Sequence, residues 1–197
     1  MLDRTVPYCN LILRCDYFDR ASVSIPDGYS IIHYHCGLQS AWAKLEKDIG
    51  DFSSEAEAES YFTETYLPFP EIVKQRALFL TDPANNVIGS CIAWHDKRFD
   101  KIVSSLHWLV VEESHHGKGL GRVLFAKAMN LFDDFPIYIH TQPWSWKAIL
   151  LYLSSGFKLQ KKDTFDGYEN QYETGITVLQ SILPAEQIRY IIDNTES

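Results

Sequence analysis

Apolar residues recur along the chain at two spacings, one typical of β-strands and the other typical of α-helices. Dense or alternating apolar runs predict strands at residues 29–35, 77–80, 87–94, 106–111, 137–140, 157–160 and 176–182. Apolar positions three or four residues apart predict helices at residues 40–49, 54–66, 120–132, 145–155 and 184–193. Ser54 and Glu57 form a capping-box pattern at the start of the second predicted helix. Pro68 and Pro70 indicate that this helix ends before residue 68.

These elements follow one another in a mixed α/β order, with antiparallel strands early and a strand–helix–strand unit in the middle. The 197 residues match the usual length of one domain. We therefore expect a single domain over residues 25–197. Residues 1–24 are expected to form an irregular N-terminal extension packed on that domain, with a short strand or packing segment at 11–13.

Composition and charge exclude several classes of protein. Apolar residues make up 46% of the chain, which is enough to bury a substantial core. The formal net charge of −8 argues against a nucleic-acid partner and weakly favours a cationic or amine-bearing one. The four cysteines lack the spacing of a zinc site, and no further ligand accompanies His33, His35 and Cys36, so we expect no metal. Because neither a secretory segment nor an apolar run of ~20 residues is found, we expect a cytoplasmic protein without a membrane partner.

A glycine-rich turn connects the predicted strand at 106–111 to the helix that follows it. Gly117, Gly119 and Gly121 leave backbone N–H groups directed at one point, beside the positive end of the helix dipole. Such a turn is typical of a phosphate site. A Walker A loop is excluded because Lys118 is followed by glycine, and a dinucleotide loop is excluded because the glycines are spaced G-x-G-x-G.

Two motifs in this part of the chain resemble those of the GNAT N-acetyltransferases. Residues 116–121 fit the pattern Q/R-x-x-G-x-G/A except that His116 stands at the first position. Residues 145–157 fit N-x-x-A-x-x-L-Y-x-x-x-G-F except that Ser145 replaces the asparagine. The resemblance covers residues 104–158 and implies the GNAT acyl-CoA N-acyltransferase fold, a mostly antiparallel twisted central sheet flanked by helices.

The resemblance also implies an activity and a co-substrate. An acetyl group would move from acetyl-CoA to a primary amine of a small molecule or peptide, by direct attack in a ternary complex. The glycine turn would hold the pyrophosphate, and the strand before it would pair with the pantetheine arm. The implied acetyl-CoA-binding residues are Leu109, Val110, Val111, His116, Gly117, Lys118, Gly119, Leu120, Gly121, Arg122 and Ser145.

Acetyl transfer also needs an acid for the departing thiolate and a base for the amine. Tyr152 occupies the family position of the acid, and an unperturbed phenol stays protonated at neutral pH. His107 is the candidate base, since it shares a strand face with Ser105 and Leu109 and an imidazole suits proton removal near neutrality. A histidine on an apolar strand is more often a core residue, so His140 and a water relay remain alternatives.

The sequence indicates the amine substrate less clearly than it indicates the co-substrate. The segment 163–173 mixes four carboxylates with three aromatic rings, a combination that suits a cationic, partly apolar amine, although a solvated loop has the same composition. A catalytically weak acyl-CoA-binding or sensor domain is the alternative function, because His116 and Ser145 depart from the family pattern. Family members are often dimers, so the resemblance is compatible with a homodimer, although the sequence itself does not determine the oligomeric state.

Overall fold

The computed structural model describes residues 3, 5–20 and 22–196. The elements in this part of the chain have the mixed α/β order expected from the sequence. They divide into two compact units, each assembled from separate stretches of the chain. The first unit comprises residues 20–93 and 106–132, and the second comprises residues 3–19, 94–105 and 133–196.

The strands in chain order are β1 (Leu11–Cys15), β2 (Ser30–His33), β3 (Ala77–Thr81), β4 (Val87–Arg98), β5 (Lys101–Val111), β6 (Ile137–Thr141), β7 (Lys158–Gln160) and β8 (Thr195–Glu196). The helices are α1 (Leu38–Ile49), α2 (Glu55–Thr65), α3 (Pro70–Arg76), α4 (Leu120–Met129), α5 (Trp146–Ser154), α6 (Tyr172–Ile182) and α7 (Ala185–Asp193). Strands β4 and β5 run through both units.

The first unit is built on the antiparallel strands β2, β3 and β4. The β2–β3 register runs from Ser30 opposite Thr81 to His33 opposite Leu78. The predicted hairpin between β3 and β4 is confirmed, and Asp82 closes its loop by accepting two backbone hydrogen bonds. Helices α1 and α2 pack on each other, with the buried Trp42 ring 5.2 Å from that of Phe62. At the start of α2 the Ser54 side chain accepts the Glu57 N–H as predicted, but the Glu57 carboxylate accepts the N–H of Ser53 and not that of Ser54, so the capping box is only half formed.

The second unit has the strand order β5–β6–β1–β7–β8. Strand β1 is central, antiparallel to β6 over its whole length and to β7 on its other side. The pairs β5–β6 and β7–β8 are parallel. The N-terminal segment, expected to be mostly irregular, therefore supplies a strand that pairs on both edges.

The strand predicted at residues 176–182 is wrong, because this segment lies in helix α6. Its buried residues Tyr172, Ile176 and Leu179 are four and three positions apart, which is helical spacing. Gly175 lets the helix approach β1 closely, since a Cβ atom there would lie 2.5 Å from Cδ2 of Leu11. Helix α3 and strand β8 were not predicted either; α3 begins at a proline, which is well tolerated in a first helical turn.

Candidate functional site

The glycine turn of the first unit joins the end of β5 to helix α4 through one turn of 3₁₀ helix at Glu113–His115. Gly117 and Gly119 have φ angles of 80° and 76°, in the left-handed region that favours glycine. A Cβ atom at either position would meet no atom within 4 Å, so backbone conformation, not crowding, requires glycine there. The space on the Cβ side of both glycines is therefore open over that distance.

The N-terminus of α4 offers donors without competing acceptors. Its cap residue is Gly119, which has no side chain to accept a hydrogen bond, and the first turn contains no acidic residue. The N–H groups of the first helical residues have no intrahelical partner, and the helix dipole adds positive potential. Arg122 is exposed, and its side chain has neither an ion pair nor a hydrogen bond within the described part of the chain. These features fit an anionic diphosphate.

The polar side chains of the turn hold the turn itself in place. His116 donates from Nε2 to the carbonyl of Val111 at 2.7 Å, and its backbone N–H donates to Glu113 at 3.0 Å. Lys118 donates from Nζ to the hydroxyl of Tyr29 at 3.0 Å. Tyr29 in turn lies 3.1 Å from Nδ1 of His115. Tyr29, which no local motif marks, therefore ties the turn to the segment before β2.

Strand β5 is not uniformly extended before the turn. Trp108 has a φ of 51°, which is rare for a residue with a side chain and places it in the left-handed region. This conformation interrupts the regular alternation of the strand between His107 and Leu109. Ser90 on β4 supports this conformation by donating to the carbonyl of Trp108 at 3.2 Å.

The side chains around Trp108 stabilise its unusual backbone conformation. Its indole ring lies among those of Trp42, Phe52 and Tyr61, with centroid separations of 5.4 to 5.5 Å. Its Nε1 donates to the hydroxyl of the buried Tyr66 at 2.8 Å, and that hydroxyl lies 2.8 Å from Nδ1 of His107. The candidate base His107 is thus part of a hydrogen-bonded chain inside the first unit.

The other motif residues are in the second unit, where Tyr152 lies in helix α5 and Ser145 is the N-cap residue of that helix. Tyr152 is 5% exposed, and its backbone carbonyl accepts the N–H of Phe157 at 3.1 Å. Gly156 ends the helix with a φ of 95°. The pattern is a Schellman motif, which explains the spacing of the tyrosine, glycine and phenylalanine in the second sequence block. Ser145 lies at the helix start, 3.4 Å from Nε2 of Gln142.

The acidic and aromatic segment before α6 is only partly available to a substrate. Asp163 accepts hydrogen bonds from Arg98 at 2.7 Å and from Tyr138 at 2.8 Å, and pairs with Arg14 at 3.4 Å. Burial acts to raise the pKa of Asp163, but these donors outweigh it and the pKa is lowered. Burial and the Asp163 carboxylate raise the pKa of Tyr138 to about 12. Phe165 is buried against Tyr138, so this end of the segment is attached to the core of the second unit.

The predicted site residues are thus distributed over both units. The first unit contains His107 and every implied acetyl-CoA-binding residue except Ser145, and the second contains Ser145, Tyr152, His140 and the segment 163–173. In the residues that the structure describes, no cluster of three or more His, Cys, Asp and Glu side chains could hold a metal ion. No described helix is both long and apolar enough to span a bilayer.

Comparisons with known proteins give one family and a group of solved structures. The family model described as Acetyltransferase (GNAT) family matches residues 42–157, more than half of the chain. No curated protein matches the chain significantly.

Three solved structures show the same fold at low sequence identity. A GCN5-related N-acetyltransferase from Sphaerobacter thermophilus is 14% identical, with a TM-score of 0.57 over 77% of this chain and 48% of that one. A GNAT acetyltransferase from Colwellia psychrerythraea is 10% identical, with a TM-score of 0.56 over 77% and 53%. Naa50 from Arabidopsis thaliana, in complex with the bisubstrate analogue CoA-Ac-MVNAL, is 14% identical, with a TM-score of 0.52 over 66% and 82%. The chain spans about half the length of the first two proteins.

Proposed function

This chain belongs to the GNAT acetyltransferase family, and from that premise we propose that it is an acetyl-CoA-dependent N-acetyltransferase acting on a primary amine. The observation that carries the proposal is the open glycine turn at the uncapped start of α4, whose donors suit a diphosphate. The acceptor is a small amine or a peptide. The peptide class is supported by the shared fold with Naa50, whose structure holds CoA-Ac-MVNAL.

The proposed binding roles follow the local geometry of the first unit. The N–H groups of Leu120, Gly121 and Arg122 and the Arg122 guanidinium hold the diphosphate, while Gly117 and Gly119 keep its approach open. Backbone groups of residues 109–111 pair with the pantetheine arm, and Ser145 contributes a further contact. His116 and Lys118 act by bracing the turn, because their contacts run to Val111 and Tyr29. Acetyl-CoA supplies the thioester carbonyl that the amine attacks.

The proposed chemistry is a direct attack by the amine, without an acetylated enzyme. Cys9, Cys15 and Cys91 are buried, and burial raises the pKa of Cys15 to about 11 and that of Cys91 further still. Such thiols are not thiolates at neutral pH, so they are poor nucleophiles. Tyr152 donates a proton to the departing thiolate of coenzyme A. His107 and His140 are the two candidate acceptors of the amine proton.

Two measurements on the purified chain test this function. Acetyl-CoA titrated in a calorimeter should release or absorb heat, and Arg122→Ala should weaken binding about tenfold by removing a charged diphosphate contact. Lys127→Ala is the matched control, since it removes one positive charge from the other end of α4. The proposed site is refuted if acetyl-CoA at a saturating concentration produces no heat of binding and no thermal shift.

The release of free thiol across a panel of polyamines, amino acids, aminoglycosides and peptides then tests turnover. At least one amine should accelerate thiol release above hydrolysis. Tight acetyl-CoA binding without amine-dependent release would instead favour the acyl-CoA sensor. That alternative is supported by one observation, namely that His116 uses both of its donors inside the protein where the family has a Gln or Arg.

A further inference from the structure

The two cations beside the glycine turn, Lys118 and Arg122, have no acidic partner among the described residues. The chain has 26 acidic residues against 18 basic ones, so carboxylates are in excess. An exposed lysine elsewhere does find one, as Lys74 does with Glu71 at 2.9 Å. Two unpaired cations at one turn of an acidic protein therefore indicate that an anionic ligand supplies the missing negative charge.

Lys118 is exposed, but a hydrogen bond fixes where its ammonium group lies. Its Nζ atom donates to the hydroxyl of Tyr29 at 3.0 Å and lies 5.6 Å from the centroid of the Tyr29 ring. An ammonium group has three protons and accepts none, so this contact leaves two N–H groups. No residue in the described part of the chain accepts either of them. Lys118 thus presents two donors from a fixed position.

Tyr29, which holds Lys118, is itself held on two sides. Because the ammonium can only donate, the Tyr29 oxygen accepts, and its own proton has Nδ1 of His115, 3.1 Å away, as an acceptor. The two rings meet edge to face, with centroids 5.7 Å apart. The backbone N–H of Tyr29 donates to the carbonyl of Pro26 at 3.1 Å. A lysine that is already held in place loses less conformational freedom when it binds a ligand.

Acetyl-CoA carries phosphate in two places, as a diphosphate and as a monoester at the 3′ position of its ribose. The N–H groups at the start of α4 and Arg122 are assigned to the diphosphate in the proposed function. Lys118 remains as the second unpaired cation, and the monoester remains as the second anionic group. A phosphate monoester has a charge of about −1.5 to −2 at neutral pH and three acceptor oxygens, which suits an ammonium with two N–H groups to donate.

We propose that Lys118 forms a subsite for the 3′-phosphate of acetyl-CoA and that Tyr29 is its positioning residue. This inference rests on the proposed function. Two N–H groups of the ammonium bind phosphoryl oxygens, while the third stays on the Tyr29 hydroxyl. The monoester takes no part in the transfer of the acetyl group, so the subsite acts on acetyl-CoA affinity and not on the chemical step. The protein thereby distinguishes acetyl-CoA from an analogue that lacks the monoester.

Calorimetric titration of acetyl-CoA and of acetyl-dephospho-CoA tests the subsite directly. The wild-type protein should bind acetyl-CoA about tenfold more tightly, the effect of one charge-assisted contact. Lys118→Met keeps the length of the side chain without its charge and should reduce this preference to about twofold or less. Lys127→Met, which removes a cation from the other end of α4, should keep the full preference. Equal affinity of the wild type for the two compounds would overturn the proposal.

The role of Tyr29 is tested by Tyr29→Phe, which keeps the ring and removes only the hydroxyl. The preference for acetyl-CoA should fall about threefold, and the double variant with Lys118→Met should lose no more than Lys118→Met alone, because both changes act through one ammonium. Tyr190→Phe, which removes a partly exposed hydroxyl from α7, should leave the preference unchanged. A lower melting temperature in Tyr29→Phe with the full preference retained would show a purely structural role and overturn the assignment.

Steady-state kinetics separate binding from chemistry. Lys118→Met should raise KM for acetyl-CoA about tenfold with kcat unchanged, and a lower kcat at unchanged KM would contradict the subsite. If the wild-type protein binds neither acetyl-CoA nor acetyl-dephospho-CoA, the proposed function fails and the subsite fails with it. If it binds both compounds equally and acetylates an amine with either, only the subsite fails.

Discussion

The two glycines nearest the start of α4 should respond oppositely to alanine. Gly119 has a φ of 76°, and the left-handed conformation costs a residue with a Cβ atom roughly 1–2 kcal/mol. The new methyl group would meet no atom within 4 Å, so no clash adds to this cost. Alanine also reduces the entropy of the unfolded chain, which returns about 0.4–1 kcal/mol. Gly119→Ala should therefore lower the free energy of unfolding by about 1 kcal/mol.

Gly121 is the matched control because it lies inside the first turn of the same helix without a positive φ. Its Cβ atom would lie 3.8 Å from Cγ2 of Val111, an ordinary van der Waals contact. Alanine is favoured over glycine in a helix by roughly 0.5–1 kcal/mol, so Gly121→Ala should be slightly more stable than the wild type. In a protein of this length 1 kcal/mol changes the melting temperature by about 2–4 °C, which calorimetry resolves.

Affinity for acetyl-CoA is the second quantity in which the two variants should differ. The methyl group of Gly119→Ala enters the open space in front of the turn, so affinity should fall at least tenfold, about 1.4 kcal/mol. The methyl group of Gly121→Ala faces strand β5, so affinity should stay within a few-fold of the wild type. The reasoning is refuted if Gly119→Ala keeps both its melting temperature and its affinity, or if the two variants lose affinity equally.

Three further changes test other parts of the structure. Burial, followed by the charge of Asp51, raises the pKa of Glu46 well above its usual value, and Oε1 of Glu46 has no hydrogen bond within the described residues. Because ionisation of this carboxyl group then favours the unfolded chain, the free energy of unfolding should fall as pH rises above about 4.5. In urea unfolding at pH 8, Glu46→Gln should have a free energy of unfolding about 1 kcal/mol higher than that of the wild type, and the difference should be smaller at pH 5. Gly175→Ala should destabilise the protein by about 1–3 kcal/mol in the same assay despite its helical position, since the methyl group would overlap Leu11, and an unchanged midpoint would contradict this. Tyr152→Phe should lower kcat with acetyl-CoA affinity retained, and unchanged turnover would remove the acid role.

Features that depend on neighbouring residues were predictable from the sequence. The glycine turn is recognisable because left-handed backbone at Gly117 and Gly119 is a local requirement. The Ser54 cap of α2 joins residues within one turn, and the hairpin loop at Asp82 is similarly local. Each of these involves an interaction within about four residues, so local sequence determines it.

Features that depend on distant contacts were not predictable. The β-branched residues of α6 favour a strand, and only the packing of Gly175 against Leu11 shows why the segment is helical there. The left-handed Trp108 is stabilised by Trp42, Tyr66 and other partners from separate elements. No residue type or spacing signals these contacts in advance.

The central place of β1 has a consequence for the order of events during synthesis. Its five residues, 11–15, are made long before the strands that pair with them, at 137–141 and 158–160. Until the ribosome has completed β7, an apolar strand with two unpaired edges is exposed, and such segments favour aggregation. Complete pairing of β1 therefore waits until residues 158–160 have been synthesised, so the second unit cannot complete its sheet while the earlier part of the chain is being made.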